Sequence, residues 1–177
     1  MKPIVPLKVE HGLIDQMVKA IRDKAVKITL GEALDLVFVD TAVDFLRTYA
    51  DRTHHGKEED ILFRELKEKE LSEEDQEAME ELIQEHIYAR ETVSELVEAK
   101  EMYLEGDEDA LDTVLLKIGA LLELYPKHIK KEDDGFFPAA MTYFDTEEQE
   151  AMLEEMRAFD RQMIHEKYRS VVEDMRG

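Results

Sequence analysis

The sequence has no cysteine and few of the residues that interrupt helices. Its 177 residues include no Cys and only 7 Gly and 4 Pro. Without Cys the chain cannot form disulfides, thiolate zinc sites, thiolate-held iron–sulfur clusters or a cysteine nucleophile. The scarcity of Gly and Pro favours long, uninterrupted elements joined by few turns.

Positive charge and long apolar runs are also scarce. Asp and Glu number 44 against 23 Lys and Arg, which gives a formal net charge of −21. Such a chain repels phosphate backbones and anionic lipid, so we expect neither nucleic acid nor a membrane as a partner. No apolar stretch approaches the roughly 20 residues that span a bilayer, and the N-terminus shows no signal-peptide pattern. Together these absences favour a cytoplasmic protein.

The residues that are present follow a helical pattern. Apolar side chains recur at steps of three and four in four long segments, and no segment shows the alternation of a β-strand. Ser72 with Asp75, and Thr146 with Gln149, read as capping boxes at helix N-termini. The sequence therefore predicts an all-α fold: an up-down-up-down four-helix bundle over residues 1–145, with a C-terminal helix over 146–177 packed on or extending it.

Imidazoles and carboxylates fall on the predicted inward faces. His55 and Glu59 are four residues apart, as are His128 and Glu132, so each pair shares one helix face. Unpaired burial of such groups costs several kcal/mol each, and two metal ions bridged by the carboxylates would satisfy them. Ligands of nitrogen and oxygen without sulfur favour iron or manganese, with zinc as a further option. The predicted ligands are His11, His55, Glu59, His86, His128 and Glu132.

A simpler interpretation competes with the metal site. A single His on an apolar stripe is more often a hydrogen-bonded core residue, and Lys57 or Lys131 could pair with nearby glutamates on solvated faces. The coincidence of one inward His on each of four helices favours the metal site. His54 and His165 do not fit this pattern, and we expect them at the surface or in positions that support a ligand.

Four sequence blocks resemble the hemerythrin-like, or HHE cation-binding, domain over residues 7–140. The blocks are EHGLI (10–14), HHGKEEDILF (54–63), EHIYAR (85–90) and KHIKKEDDGFFP (127–138). The resemblance implies a non-haem di-iron centre with an oxo or hydroxo bridge, in which Glu59 and Glu132 bridge the irons and the four histidines are terminal ligands. Manganese and zinc are the alternative metals, and Glu10 and Glu58 are supporting or alternative ligands.

Two departures bear on function. Oxygen-carrying hemerythrins place a second His four residues after the third-helix His, where this chain has Arg90. They also use an aspartate at the position of Asp133, whereas Glu132 is similar to a variant subfamily that includes di-iron repair proteins for nitrosative stress and iron-sensing domains. Fewer histidines imply an open coordination position.

We therefore expect a protein that binds oxygen, nitric oxide or peroxide at an open iron position, for sensing, scavenging or stress protection, and that works with a redox partner protein. The alternatives are a di-iron oxidase- or peroxidase-type enzyme and an iron-storage or iron-sensing module that acts through a protein partner. A metal-free helical interaction module is the simplest alternative.

Overall fold

The computed structural model describes residues 2–174, with side chains described for residues 2–163, so the predicted position of the His165 side chain lies outside the described residues. The described chain is helical and contains no strand, which confirms the predicted all-α bundle with an additional C-terminal helix. The elements in chain order are α1 (Ile4–Thr29), α2 (Leu36–Phe45), the π-helices π1 (Leu46–His55) and π2 (Glu58–Phe63), α3 (Arg64–Lys67), α4 (Glu73–Leu104), α5 (Ala110–Lys131), the π-helix π3 (Glu132–Phe136), α6 (Phe137–Ala140) and α7 (Thr146–Asp174).

The bundle is a ring of four long helices. α1 packs against α5 and π1, and α4 packs against α5, α2 and π1. α7 lies against π1 and π2. Among residues 2–174, no helix has both the length and the apolar character of a membrane-spanning segment.

The second helix of the bundle changes its winding along its length. It runs from Leu36 to Lys67 and passes through π1 and π2, and π3 follows α5 in the same way. Within π1 the Thr53 hydroxyl donates to the carbonyl of Thr48, five residues earlier, at 2.8 Å. A π-turn holds more residues than an α-turn, so consecutive side chains diverge less around the axis. Because π-turns are rare and concentrate at functional sites, these three segments indicate where a functional site lies in the bundle.

Two apolar clusters fill the bundle, and a polar layer separates them. On α1, for example, His11 lies between Leu7 of one cluster and Ile14 of the other. Buried members of the first cluster include Ile14, Val18, Val93, Leu96, Val114 and Ile118. Buried members of the second include Leu7, Leu62, Phe63, Leu82, Phe136 and Phe137, together with Met152 and Met156 from α7.

The predicted helix caps are confirmed in part at one start and wrong at another. The Ser72 side chain accepts a hydrogen bond from the Asp75 backbone N–H, as predicted, but the Ser72 N–H donates to the Tyr143 hydroxyl and not to Asp75. At the start of α7 the reciprocal pair is Asp145 with Glu148, with both backbone-to-carboxylate distances at 2.9 Å, and not Thr146 with Gln149. The aspartate one residue earlier accepts from the same helical turn and offers a charged acceptor to the positive helix end.

Candidate metal centre

Five histidines converge in the polar layer between the two apolar clusters. The Nε2 atoms of His11 and His54 are 2.9 Å apart, and those of His86 and His128 are 3.2 Å apart. The rings of His55 and His86 are stacked with centroids 3.8 Å apart. All five side chains are buried: they are His11 from α1, His54 and His55 from π1, His86 from α4 and His128 from α5.

The other ring nitrogen of each histidine faces a carboxylate. The pairs are His11 with Asp133 (3.1 Å), His54 with Glu10 (2.9 Å), His55 with Asp51 (3.3 Å), His86 with Glu59 (2.7 Å) and His128 with Glu85 (2.7 Å). Because an ionised carboxylate can only accept, each Nδ1 carries the proton and each Nε2 directs a lone pair to the centre. Burial also lowers the pKa of His54 and His55, and it lowers the pKa of His128 to about 4, which keeps these rings neutral.

Two glutamates lie between the imidazoles and reach both sides of the centre. Glu58 from π2 and Glu132 from π3 have no exposed surface. The oxygens of each carboxylate point in two directions, with distances of 3.3 Å from Glu58 Oε1 to His54 Nε2, 3.4 Å from Glu58 Oε2 to His86 Nε2, 3.1 Å from Glu132 Oε2 to His11 Nε2 and 3.3 Å from Glu132 Oε1 to His128 Nε2.

These two carboxylates have no hydrogen-bond partner among the described residues. All four of their oxygens are buried and unpartnered. Burial raises the pKa of both Glu58 and Glu132 well above the ordinary value, and the neighbouring Glu132 carboxylate adds to the rise at Glu58. Buried carboxylate oxygens that face imidazole lone pairs need a shared positive charge, so the donor set fits metal ions.

The donor atoms form two groups, which we call position A and position B. Within each group the donor atoms lie within 4.8 Å of one another. Position A consists of His11, His54, Glu58 and Glu132, and position B consists of His55, Glu58, His86 and His128. Glu58 belongs to both groups, which is the arrangement of a carboxylate shared by two cations.

Comparison with known proteins identifies the fold family. The model of the hemerythrin HHE cation binding domain family matches residues 2–140. This chain belongs to that family. No curated protein and no solved structure gave a significant match. The family is described as a cation-binding domain, and positions A and B are groups of described residues that could each hold a metal ion.

The structure brings together most of the predicted ligand residues of the hemerythrin domain, but not Glu59. The predicted residues present in the two groups are His11, His55, His86, His128 and Glu132. Glu59 lies outside both groups, and its carboxylate binds His86 Nδ1 and Arg90 instead. Glu58 takes the inward position, because the π-helical winding alters the face on which the residues after His55 lie. The alternative ligand Asp133 also lies outside the groups and accepts from His11.

The surface position considered for His54 is wrong. Its side chain is 1% exposed, and it contributes to position A. In an α-helix His54 and His55 would point about 100° apart, but the π1 winding lets both face inward. The signals available in the sequence were the tandem histidine pair and Glu10, which accepts from His54. The centre therefore holds five imidazoles, one more than the four expected.

Arg90 supports the centre from outside. Its Nε lies 2.7 Å from Asp51 Oδ1, and its Nη2 lies 2.7 Å from Glu59 Oε1. These two carboxylates accept from His55 and His86, respectively. One guanidinium therefore joins the carboxylates that orient two imidazoles of position B.

Proposed function

We propose that this hemerythrin domain holds an iron ion in each of positions A and B and binds oxygen, nitric oxide or peroxide at position A. The observation that carries the proposal is the pair of buried, unpartnered carboxylates, Glu58 and Glu132, which span two groups of imidazole Nε2 atoms. Five imidazoles and two carboxylates without sulfur suit iron, and manganese and zinc are the alternatives.

The two positions differ in the number of protein donors. Position A has two imidazoles and the two glutamates. Position B has three imidazoles and Glu58, and the second oxygen of Glu132 also lies on that side, 3.3 Å from His128 Nε2. Position A thus has one imidazole fewer, and this difference supports an exogenous ligand there.

Apolar side chains enclose the centre and restrict what can enter. The Phe137 ring stacks on His11 with centroids 5.7 Å apart, and the Phe63 ring stacks on His86 at 6.0 Å. Leu7 and Leu62 are fully buried in the same cluster. When bound, two iron ions would supply electrons to a small ligand. The enclosure excludes bulk water and large substrates, which favours a diatomic molecule or peroxide.

Two alternative functions use the same residues. A di-iron oxidase- or peroxidase-type enzyme would turn over a small oxidant, and repeated turnover would require a redox partner protein as electron donor. An iron-storage or iron-sensing module would instead use metal binding to alter the surface that a protein partner contacts. Both alternatives predict metal in the centre, so they are separated by what happens after loading.

Metal analysis combined with optical spectroscopy tests the proposal. We would load metal-free protein anaerobically with ferrous iron, count metal per chain, and record spectra before and after oxygen and nitric oxide. We expect two irons per chain and new charge-transfer bands with each gas. Sustained consumption of added peroxide in the presence of a reductant would favour the enzyme, and stabilisation by iron without ligand-dependent bands would favour the sensing module. Absence of bound metal after loading would overturn the proposal.

A further inference from the structure

Lys57 is a buried cation that is not part of either donor group. It is fully buried, and its ammonium group donates to Glu10 Oε1 and, at 2.6 Å, to Asp160 Oδ1. Glu10 lies on α1 and Asp160 on α7, so Lys57 joins three helices. A buried ammonium group is tolerated only where such partners compensate its desolvation.

The contacts of Lys57 continue into position A. The second oxygen of Glu10 lies 2.9 Å from His54 Nδ1. An unbroken chain of polar contacts therefore runs from Asp160 through Lys57 and Glu10 to His54. Only its Asp160 end has substantial exposure, with 41% of that side chain accessible to solvent.

Helix α7 is seated closely at the same point. A Cβ atom on Gly56 would lie 2.8 Å from Cζ of Phe159, which is too close for an undisturbed contact. Gly56 has ordinary helical geometry, with φ of −58°, so its backbone conformation does not require glycine. The close approach of Phe159 on α7 is what requires a residue without a side chain at this position. Since α7 begins at Thr146, the α7 side of this contact lies beyond the residues that match the hemerythrin family model.

We infer that the docking of α7 contributes to metal binding at position A. Lys57 is a positioning residue that holds Glu10 against His54, and Asp160 on α7 holds Lys57. Docking of α7 and occupancy of position A therefore favour each other, and by linkage each strengthens the other equally. This inference rests on the proposed function, and it gives the sensing alternative a physical route from the centre to a helix at the surface.

A matched pair of substitutions on α7 separates this coupling from simple helix docking. Asp160→Ala removes the ion pair that leads to His54. Glu155→Ala removes another α7 ion pair to the second helix, in which two guanidinium nitrogens of Arg64 lie 2.8 Å from the Glu155 carboxylate. The described contacts of Glu155 lead to Arg64 and not to either position, so Glu155→Ala controls for the loss of an α7 anchor. Asp160→Glu keeps the charge and serves as the rescue variant.

The first readout is the affinity for each of the two ferrous ions, measured by chelator competition. We expect Asp160→Ala to lower the affinity for one of the two ions selectively, and Glu155→Ala and Asp160→Glu to keep the wild-type affinities. Glu10→Gln acts one contact closer to His54 and should lower the affinity for the same ion by about 10- to 100-fold, the usual effect of losing a group that orients a ligand. The affinity of Asp160→Ala for that ion should lie between those of the wild type and Glu10→Gln.

The second readout is hydrogen exchange of the α7 backbone with and without metal. Iron should slow exchange in α7 in the wild type and in Glu155→Ala, and this effect should be lost in Asp160→Ala. Gly56→Leu, which displaces Phe159 without changing a charge, should reproduce the loss if Asp160→Ala fails to fold. If the wild type binds two ions but Asp160→Ala and Glu155→Ala give the same results in both readouts, the inference is overturned and the proposed function stands. Failure of the wild type to bind iron would overturn both.

Discussion

The Nε2 atoms of His11 and His54 lie 2.9 Å apart in the middle of the bundle. The Nδ1 protons of both rings are engaged by carboxylates, those of Asp133 and Glu10, so neither Nε2 has a proton to donate to the other. Two facing lone pairs in a buried layer are unfavourable unless a metal ion, or a proton held by Glu58 or Glu132, lies near both. The metal-free protein therefore contains a contact that a bound ion would relieve.

Metal should accordingly stabilise the fold. We expect the melting temperature to rise with added ferrous iron under anaerobic conditions, because the ion binds the assembled centre and not the unfolded chain. At a free metal concentration 100 times Kd the gain is about 2.7 kcal/mol. Magnesium, which prefers all-oxygen sites, is the control and should give little shift. A melting temperature that is independent of iron would contradict the prediction.

Adjacent glutamates should respond differently to substitution. Glu58 belongs to both donor groups, so Glu58→Ala should reduce bound metal from two ions to one or none. Glu59 lies outside the groups and orients His86, so Glu59→Ala should keep two ions with affinity lowered by about 10- to 100-fold at most. Metal per chain, measured at saturating and at limiting iron, distinguishes the two. Equal stoichiometry in both variants would remove Glu58 from its bridging role.

The contrast between Glu58 and Glu59 shows which inward-facing residues the apolar spacing of the sequence can predict and which it cannot. Apolar spacing places His11, His86 and His128 on inward faces, because those residues follow regular α-helical turns. The same spacing fails after residue 46, where π-winding changes which neighbours share a face, and apolar periodicity carries no mark of that change.

The spacing of residues along one helix likewise does not predict contacts between distant segments of the chain. Lys57 reads as one of several lysines beside glutamates, and its buried position depends on Glu10 and Asp160, which lie 47 and 103 residues away. Sequence spacing along one helix says nothing about which side chains of other helices surround it. The carboxylates that orient the histidines were accessible to prediction only where they adjoin a ligand, as Glu10 adjoins His11.

Arg90 should support position B without binding metal. Arg90→Ala frees Asp51 and Glu59, and the rings of His55 and His86 then lose part of their orientation. We expect weaker binding of one ion, with an upper bound of about 100-fold, and altered optical bands. Arg47 and Arg90 both line a surface cavity of about 300 Å³. Arg47→Ala is the matched control, because Arg47 has no described contact to the centre. An identical effect of the two substitutions on metal affinity would count against a role for Arg90 in the centre.

Metal binding should release protons. Burial raises the pKa of Glu58 and Glu132, so the metal-free fold favours their protonated forms, and the stability this protonation contributes is lost as pH rises through the raised values. Metal requires both carboxylates ionised, so affinity should fall as pH is lowered through the same window. Burial lowers the pKa of His128 to about 4, so its protonation competes only in more acidic solution.

Calorimetric titration in buffers of different ionisation enthalpy would count the protons released. Glu59→Gln should release as many as the wild type, because hydrogen bonds from His86 and Arg90 outweigh the burial of Glu59 and lower its pKa. Metal uptake with no proton release at any pH would show that the two buried glutamates are already ionised in the metal-free protein.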